Sequence, residues 1–80
     1  MLIYVRTLYK KLISIDCDIT ETVEQVKTKI YNQIGMKQDT QALFFKARPM
    51  MNQNMLSFYG VEEYDTLHIG LIQPKQRLTF

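Results

Sequence analysis

Residues 22–35, TVEQVKTKIYNQIG, constrain the fold more than any other stretch, because here the apolar spacing changes from strand-like alternation to a helical period. Val23, Val26, Ile30 and Ile34 fall on one stripe of a helix, with Glu24, Lys27, Thr28, Lys29 and Asn32 around it. Both ends are marked. Thr22 and Gln25 have capping-box spacing, in which the threonine hydroxyl accepts from the Gln25 backbone N–H while the Gln25 side chain reaches back. Gly35 supplies the left-handed residue that helix C-termini favour. One amphipathic helix cannot bury its own stripe, so the rest of the chain must provide an apolar surface for it.

That surface reads as strands. In LIYVRTL, residues 2–8, alternation puts Ile3, Val5 and Thr7 on one face and Leu2, Tyr4, Arg6 and Leu8 on the other. After Tyr9, Lys10 and Lys11, LISIDCD repeats the period, with Ile13, Ile15 and Cys17 inward against Leu12, Ser14 and Asp16. Strands so close in sequence form a hairpin. Beyond the polar link MKQDTQ, the stretch ALFFKARP holds adjacent phenylalanines, which a strand must send to opposite faces. Leu43 and Phe45 share one parity and take the core, which leaves Ala42 and Phe44 facing out. Arg48-Pro49-Met50 reads as a short edge strand, where the missing proline N–H costs no ladder bond. MLSFYG, 55–60, reads as one helical turn closed by Gly60, and TLHIGL, 66–71, as a last strand with Leu67 and Ile69 inward and His68 and Gly70 outward. The order hairpin, helix, strand, short strand, turn, strand gives an α+β domain with one helix packed across a mixed sheet. Periodicity is lost at Pro74, so residues 73–80 are expected to be a tail or linker beyond a domain spanning 1–72.

Eighty residues allow one domain, and a chain this short buries only about 60% of the surface its unfolded form exposes, which leaves little room for a deep catalytic cavity. A net charge of +2 is too weak to argue for nucleic acid. Cys17 stands alone, so no intramolecular disulfide is open to it, and no secretory leader opens the chain; both point to a reducing cytoplasmic or nuclear setting. No apolar run approaches the roughly 20 residues that span a bilayer, so no membrane association is expected.

With this order of elements the chain resembles the ubiquitin-like domains of the β-grasp fold. MLIYVRTL is similar to the first strand of that family, TVEQVKTKI to its helix, Gly35 to its helix stop, and LSFYGVEEYDTLHIGL to its final turn and strand, without a gap from Met1 to about Ile72. The fold is shared by conjugated modifiers and by domains that only bind. Conjugated members end in Gly-Gly, whose lack of side chains lets the C-terminus thread a narrow enzyme channel. The corresponding stretch here is Ile72-Gln73-Pro74-Lys75-Gln76, and no Gly-Gly occurs in the 80 residues, which implies a non-conjugated domain. Lys11, Lys27 and Lys29 resemble the acceptor lysines of the family, whereas the two best-known acceptor positions hold Arg48 and Glu63, which offer no amine nucleophile.

The resemblance also implies a binding face. Receptors of this family read a small apolar patch whose positions fall on Leu8, Phe44, His68 and Gly70 of this chain. Phe44 brings a large, flat group and Gly70 removes a side chain beside it, so the ring is expected to lie over the space that side chain would fill. Arg6, Lys46 and Arg48 are expected to rim the patch and to attract acidic residues of a partner. The implied partners are of ubiquitin-receptor type, a proteasome subunit, a ligase or a ubiquitin-associated domain, met by a monomeric domain that is N-terminal in a larger protein. The alternative is a free-standing modifier with a diverged C-terminus. For Phe44 the plainer alternative is that it covers neighbouring side chains and touches no partner. Leu2, Tyr4 and Leu12, with Phe58, mark a second outward apolar surface.

Sharper chemistry is not indicated. Cys17 and His68 would suit thiol catalysis, but parity sends them to opposite faces. Glu62, Glu63 and Asp65 form an acidic loop on which no further metal ligands converge. The three glycines are isolated and form no phosphate loop. Neither an enzyme activity nor a cofactor or metal is expected. Arg6, Lys10, Lys11, Lys46 and Arg48, interleaved with Tyr4, Tyr9 and Phe44, are the one arrangement suited to single-stranded nucleic acid, and the near balance of charge opposes it.

Overall fold

The computed structural model describes residues 1–72. Along the chain come β1 (Leu2–Arg6), β2 (Leu12–Asp16), α1 (Val23–Ile34), a 3-10 turn at Gln38–Thr40, β3 (Gln41–Phe45), β4 (Arg48–Pro49), a second 3-10 turn at Leu56–Tyr59, and β5 (Thr66–Leu71). The strands form one mixed sheet in the order β2-β1-β5-β3-β4. β1 and β2 make the expected antiparallel hairpin, with Val5 opposite Ile13. β5 lies parallel to β1 and antiparallel to β3.

Local chemistry fixes α1 at both ends. The Gln25 backbone N–H donates to the Thr22 hydroxyl at 3.2 Å, and the Thr22 backbone N–H donates to Gln25 Oε1 at 2.8 Å. A capping interaction of this kind contributes about 1 kcal/mol. Gly35 takes φ 78° and donates its N–H to the Tyr31 carbonyl, closing the helix where the sequence marks its end. The core forms between α1 and the sheet. Ile3, Val5 and Ile15, with Cys17 just beyond β2, meet Leu43, Phe45, Leu67 and Ile69 from the strands and Val23, Val26 and Ile30 from the helix, so the inward parity of β1, β2, β3 and β5 is as the alternation predicts.

Three features differ from the sequence reading. The buried helix face is Val23, Val26, Lys27 and Ile30, while Ile34 is exposed. Lys27 lies four residues after Val23 and three before Ile30, on the same face as both, so its stem is drawn under the helix; Ile34, at the last turn, overhangs the core. The polar link ends in Gln41, which is fully buried and donates Nε2–H to the carbonyls of Met36 at 2.8 Å and Lys27 at 3.1 Å. β1 stops at Arg6, and Thr7 closes the hairpin by donating its N–H to the Lys11 carbonyl at 2.8 Å, so Leu8 belongs to the turn.

Among the described residues, no helix is long and apolar enough to cross a membrane. The expectation of a tail over 73–80 lies outside the described residues.

Candidate protein-docking face

Strand pairing brings the outward residues into a row. Leu12 opposes Arg6, Arg6 opposes His68, His68 opposes Phe44, and Phe44 opposes Pro49, so one rung crosses all five strands. Directly opposed residues point to the same face of a sheet, which places these five side chains together on the side away from α1. Ala42 and Gly70 are opposed in the neighbouring position on the same face. His68 is exposed and Phe44 half-buried.

Phe44 owes that partial burial to Gly70. A Cβ built on Gly70 would lie 3.3 Å from Phe44 Cε1 and 3.9 Å from Ala42 Cβ. The ring therefore leans diagonally from its own rung across Gly70, as the exchange of a larger side chain for a smaller one suggests. Close packing on one side braces the ring, and its remaining surface faces solvent.

The other expected members of the patch are placed differently. Leu8, exposed in the β1–β2 turn, lines a cleft of about 480 Å³ with Tyr9, Ile13, Ile34, Met36 and Leu71, so it faces the C-terminal end of α1 and is not on the rung. Lys46 and Ala47 have φ 52° and 66°, a two-residue hairpin turn with both residues left-handed. This tight turn makes Arg48 the partner of Phe45, the core phenylalanine, and not of Phe44. The Arg48 guanidinium lies 5.8 Å from the Tyr59 ring centre, and Lys46 Nζ lies 5.3 Å from that of Phe45. Both cations are thus drawn to aromatic rings at the core-side edge, and of the three expected rim residues only Arg6 lies on the rung. The second apolar surface also divides: Leu12 joins the rung, Tyr4 stacks with Tyr64 at 6.4 Å, and Phe58 sits edge-on to Tyr59 at 5.0 Å. Alternation put Leu12 on the outward face but in a separate surface and did not place Pro49, because only register reveals what opposes Arg6 and Phe44.

The reactive groups lie elsewhere. Cys17 is 5% exposed, on the face opposite His68. Burial pushes its thiol above the ordinary 9.0, and the Glu21 carboxylate adds to the rise. The acidic loop is a turn, in which Asp65 Oδ2 accepts the Glu62 backbone N–H at 2.8 Å. Among the described residues, no three His, Cys, Asp or Glu side chains group as a metal site. Lys27, one of the acceptor-like lysines, is 6% exposed, and burial lowers its pKa, with Glu24 opposing the shift. Lys29 is tied down, its ammonium donating to the Asp16 carbonyl at 2.7 Å and pairing with Glu21 at 2.9 Å.

A single capped helix across a mixed sheet of this strand order, with its outward face free, defines a β-grasp domain of the ubiquitin-like class. The chain matches the Ubiquitin family over residues 3–74 and belongs to that family. It is 34% identical over 71 residues to "Ubiquitin-like protein NEDD8" of Dictyostelium discoideum, a match covering 89% of this chain and 92% of that protein. It is 28% identical over 71 residues to "NEDD8-like protein RUB3" of Arabidopsis thaliana, covering 89% of this chain and 91% of that protein.

Proposed function

We propose that this ubiquitin-like domain docks partner proteins through the outward rung of Arg6, His68 and Phe44, with Gly70 beneath the ring and Leu8 beyond its end, and that it is not itself conjugated. The observation that carries this reading is the seating of the ring: Phe44 Cε1 lies 3.3 Å from the position a Gly70 Cβ would take, which lays a partly open aromatic group across Gly70 on the outward face, next to His68. An aromatic next to a histidine, with an arginine one strand further along the rung, has the composition of an interface hot spot. A patch of this size sits at the small end of interfaces, so affinity is expected to be micromolar to sub-millimolar, on the order of 5–8 kcal/mol of binding free energy. The partners are of ubiquitin-receptor type, a proteasome subunit, a ligase or a ubiquitin-associated domain, in the cytoplasm or nucleus. Arg6 meets their acidic flanks, with Lys46 and Arg48 contributing from the β3–β4 end at longer range. Residues 1–72 form the docking domain. The role is binding and not catalysis.

Titration of a ubiquitin-associated domain into isotope-labelled protein tests the reading. Saturable shifts at Phe44, His68 and Gly70 are expected; resonances that stay still there through the titration would remove the docking proposal.

A second reading, a free-standing modifier with a diverged C-terminus, is favoured by one observation: the matches extend over 91–92% of the relatives' own lengths, so what is shared is nearly a whole small protein. Against it stands Ile72-Gln73-Pro74-Lys75-Gln76, in which proline fixes φ and glutamine adds bulk where an enzyme channel requires neither. Incubation with ubiquitin-family activating enzyme and ATP separates the two. The docking reading expects no thioester, and an adduct that a reductant releases would establish the modifier.

A further inference from the structure

A second apolar surface lies around the 3-10 turn at Leu56–Tyr59, with a charge balance opposite to that of the rung. Backbone hydrogen bonds zip the segment before α1 onto the segment before this turn: Ser57 N–H donates to the Ile19 carbonyl at 2.9 Å, Leu56 N–H to that of Glu21 at 2.9 Å, Val23 N–H to that of Asn54 at 2.9 Å, and Glu24 N–H to that of Asn52 at 3.1 Å. Three exposed apolar side chains, Ile19, Met55 and Phe58, are thereby brought to one region, and Phe58 is 64% exposed. Single exposed apolar residues are ordinary, but two that line one recess with a third on the segment bonded to it are not. A recess of about 340 Å³ opens there, lined by Gln53, Asn54, Met55, Ser57 and Phe58.

The walls are held. Phe58 sits edge-on to Tyr59, whose hydroxyl accepts the Met51 backbone N–H at 2.6 Å and the Asn54 side-chain N–H at 3.1 Å. The recess is thus built on a hydrogen-bonded turn and needs little ordering when it is filled.

Charge decides what fills it. Exposed Asp18 and Glu24 are carried on the segments that flank the recess, Asp18 preceding Ile19, whose carbonyl accepts from Ser57, and Glu24 donating its backbone N–H to the Asn52 carbonyl; neither makes an ion pair among the described residues. Glu21 is neutralised by Lys29 at 2.9 Å. Of the nearby cations, Lys27 is buried and Arg48 lies against the Tyr59 ring. The free charge at the rim is negative. We propose that this recess docks a basic amphipathic segment of a partner protein, an apolar anchor seated between Met55 and Phe58 and flanked by lysine or arginine. Such a cation gains the Asp18 and Glu24 carboxylates together with the open face of the Phe58 ring. This surface takes a segment of opposite charge to the one expected at the rung, so the two bind different sequences.

The probe is a short blocked peptide of leucine and phenylalanine flanked by lysines, titrated into the full labelled chain, with the same peptide carrying glutamates as its control. Saturable shifts are expected at Ile19, Met55 and Phe58, with binding at least about tenfold weaker for the glutamate peptide and about tenfold weaker in Phe58→Ala, while Phe44→Ala leaves it unchanged. Affinity should fall severalfold as salt rises from about 0.1 to about 1 M, where the Debye length shrinks from about 10 to about 3 Å. Asp18→Asn with Glu24→Gln should weaken the lysine peptide while lowering stability by no more than the share of one acidic residue in the first helical turn, which keeps the test independent of any packing defect in Phe58→Ala. The proposal is overturned by the absence of shifts, by equal binding of the two peptides, or by shifts at Phe44 and His68 in their place. Concentration-dependent shifts at Ile19, Met55 and Phe58 without peptide would overturn it too and give the surface to a second copy of the chain.

Discussion

Gly70→Val tests the packing beneath the rung. Gly70 is not in the left-handed backbone region, so a side chain there is limited by space alone. The first added carbon meets Phe44 Cε1 at 3.3 Å, a distance at which the neighbour must yield by a few tenths of an ångström, and the two valine methyls press further into the ring. Overpacking of this sort costs about 1–3 kcal/mol, against which replacing a strand glycine restores about 0.5–1 kcal/mol. The expected net change is a loss of up to about 2.5 kcal/mol. In a Phe44→Ile background Cε1 is gone, so the same Gly70→Val change should stabilise by about 0.5–1 kcal/mol. The sign of one substitution therefore depends on the other, with a coupling energy of about 1–3 kcal/mol, well above the roughly 0.5 kcal/mol within which independent sites add. Urea denaturation of the four proteins, compared at constant m-value, measures it. Additivity within about 0.5 kcal/mol, or a Gly70→Val change that stabilises the chain with Phe44 in place, would refute the contact on which the docking reading rests.

Phe44→Ala should cost about 1–2 kcal/mol, since part of the ring is already in water, whereas Phe45→Ala in the core should cost about 3–5 kcal/mol; the reverse order in urea melts would mean that the parity of β3 is wrong. Gln41→Ala should cost about 2–3 kcal/mol, because it strips the Met36 and Lys27 carbonyls of buried donors, and a loss within about 0.5 kcal/mol would show that water replaces them. Above pH 9.0 the unfolded chain gives up the Cys17 proton while the folded chain, its thiol pKa raised by burial, keeps it, so stability should fall as pH rises from that point. The wild type should lose stability relative to Cys17→Ala over that window, native thiol labelling should be slow and become fast in denaturant, and parallel pH curves or rapid native labelling would contradict the burial.

The inward half of the fold was legible because alternation has a period of two and needs no partner to be read. Ile3, Val5, Ile15, Leu43, Phe45, Leu67 and Ile69 are all on the face that their spacing assigns. Cap chemistry was legible for the same reason, since Thr22, Gln25 and Gly35 act within one turn of one another. Register was not, because alternation says which face a residue takes and nothing about what it opposes. Arg48 shows the consequence: the turn at Lys46-Ala47 lacks the glycine or asparagine that signals a two-residue hairpin, so nothing local announced that Arg48 would pair with Phe45. Two errors had signals that went unused. Gln41 has the parity of Leu43 and Phe45, and Lys27 has the helical phase of Val23 and Ile30.

The contrast between the two faces bears on how a binding surface of this kind can change. Inward positions are fixed by mutual packing, and a single truncation there removes about 3–5 kcal/mol from a domain whose whole stability is on the order of 5–15 kcal/mol. Outward positions carry much smaller penalties, yet they are not free. Phe44 and Gly70 sit on different strands, separated by a diagonal across β3 and β5, and the 3.3 Å approach means that the size of one sets the space of the other. A large residue at 44 is compatible with the fold only while 70 stays small, and a β-branched residue at 70 only while 44 is reduced. Reshaping this outward face thus proceeds by compensating exchanges within the sheet surface, and a partner that read Phe44 would read Gly70 indirectly through the tilt it permits. Binding should follow the same coupling as stability: Gly70→Val should weaken docking by displacing the ring, and a Gly70→Val protein that docks with unchanged affinity would show that the partner does not rest on the tilt of Phe44 over Gly70.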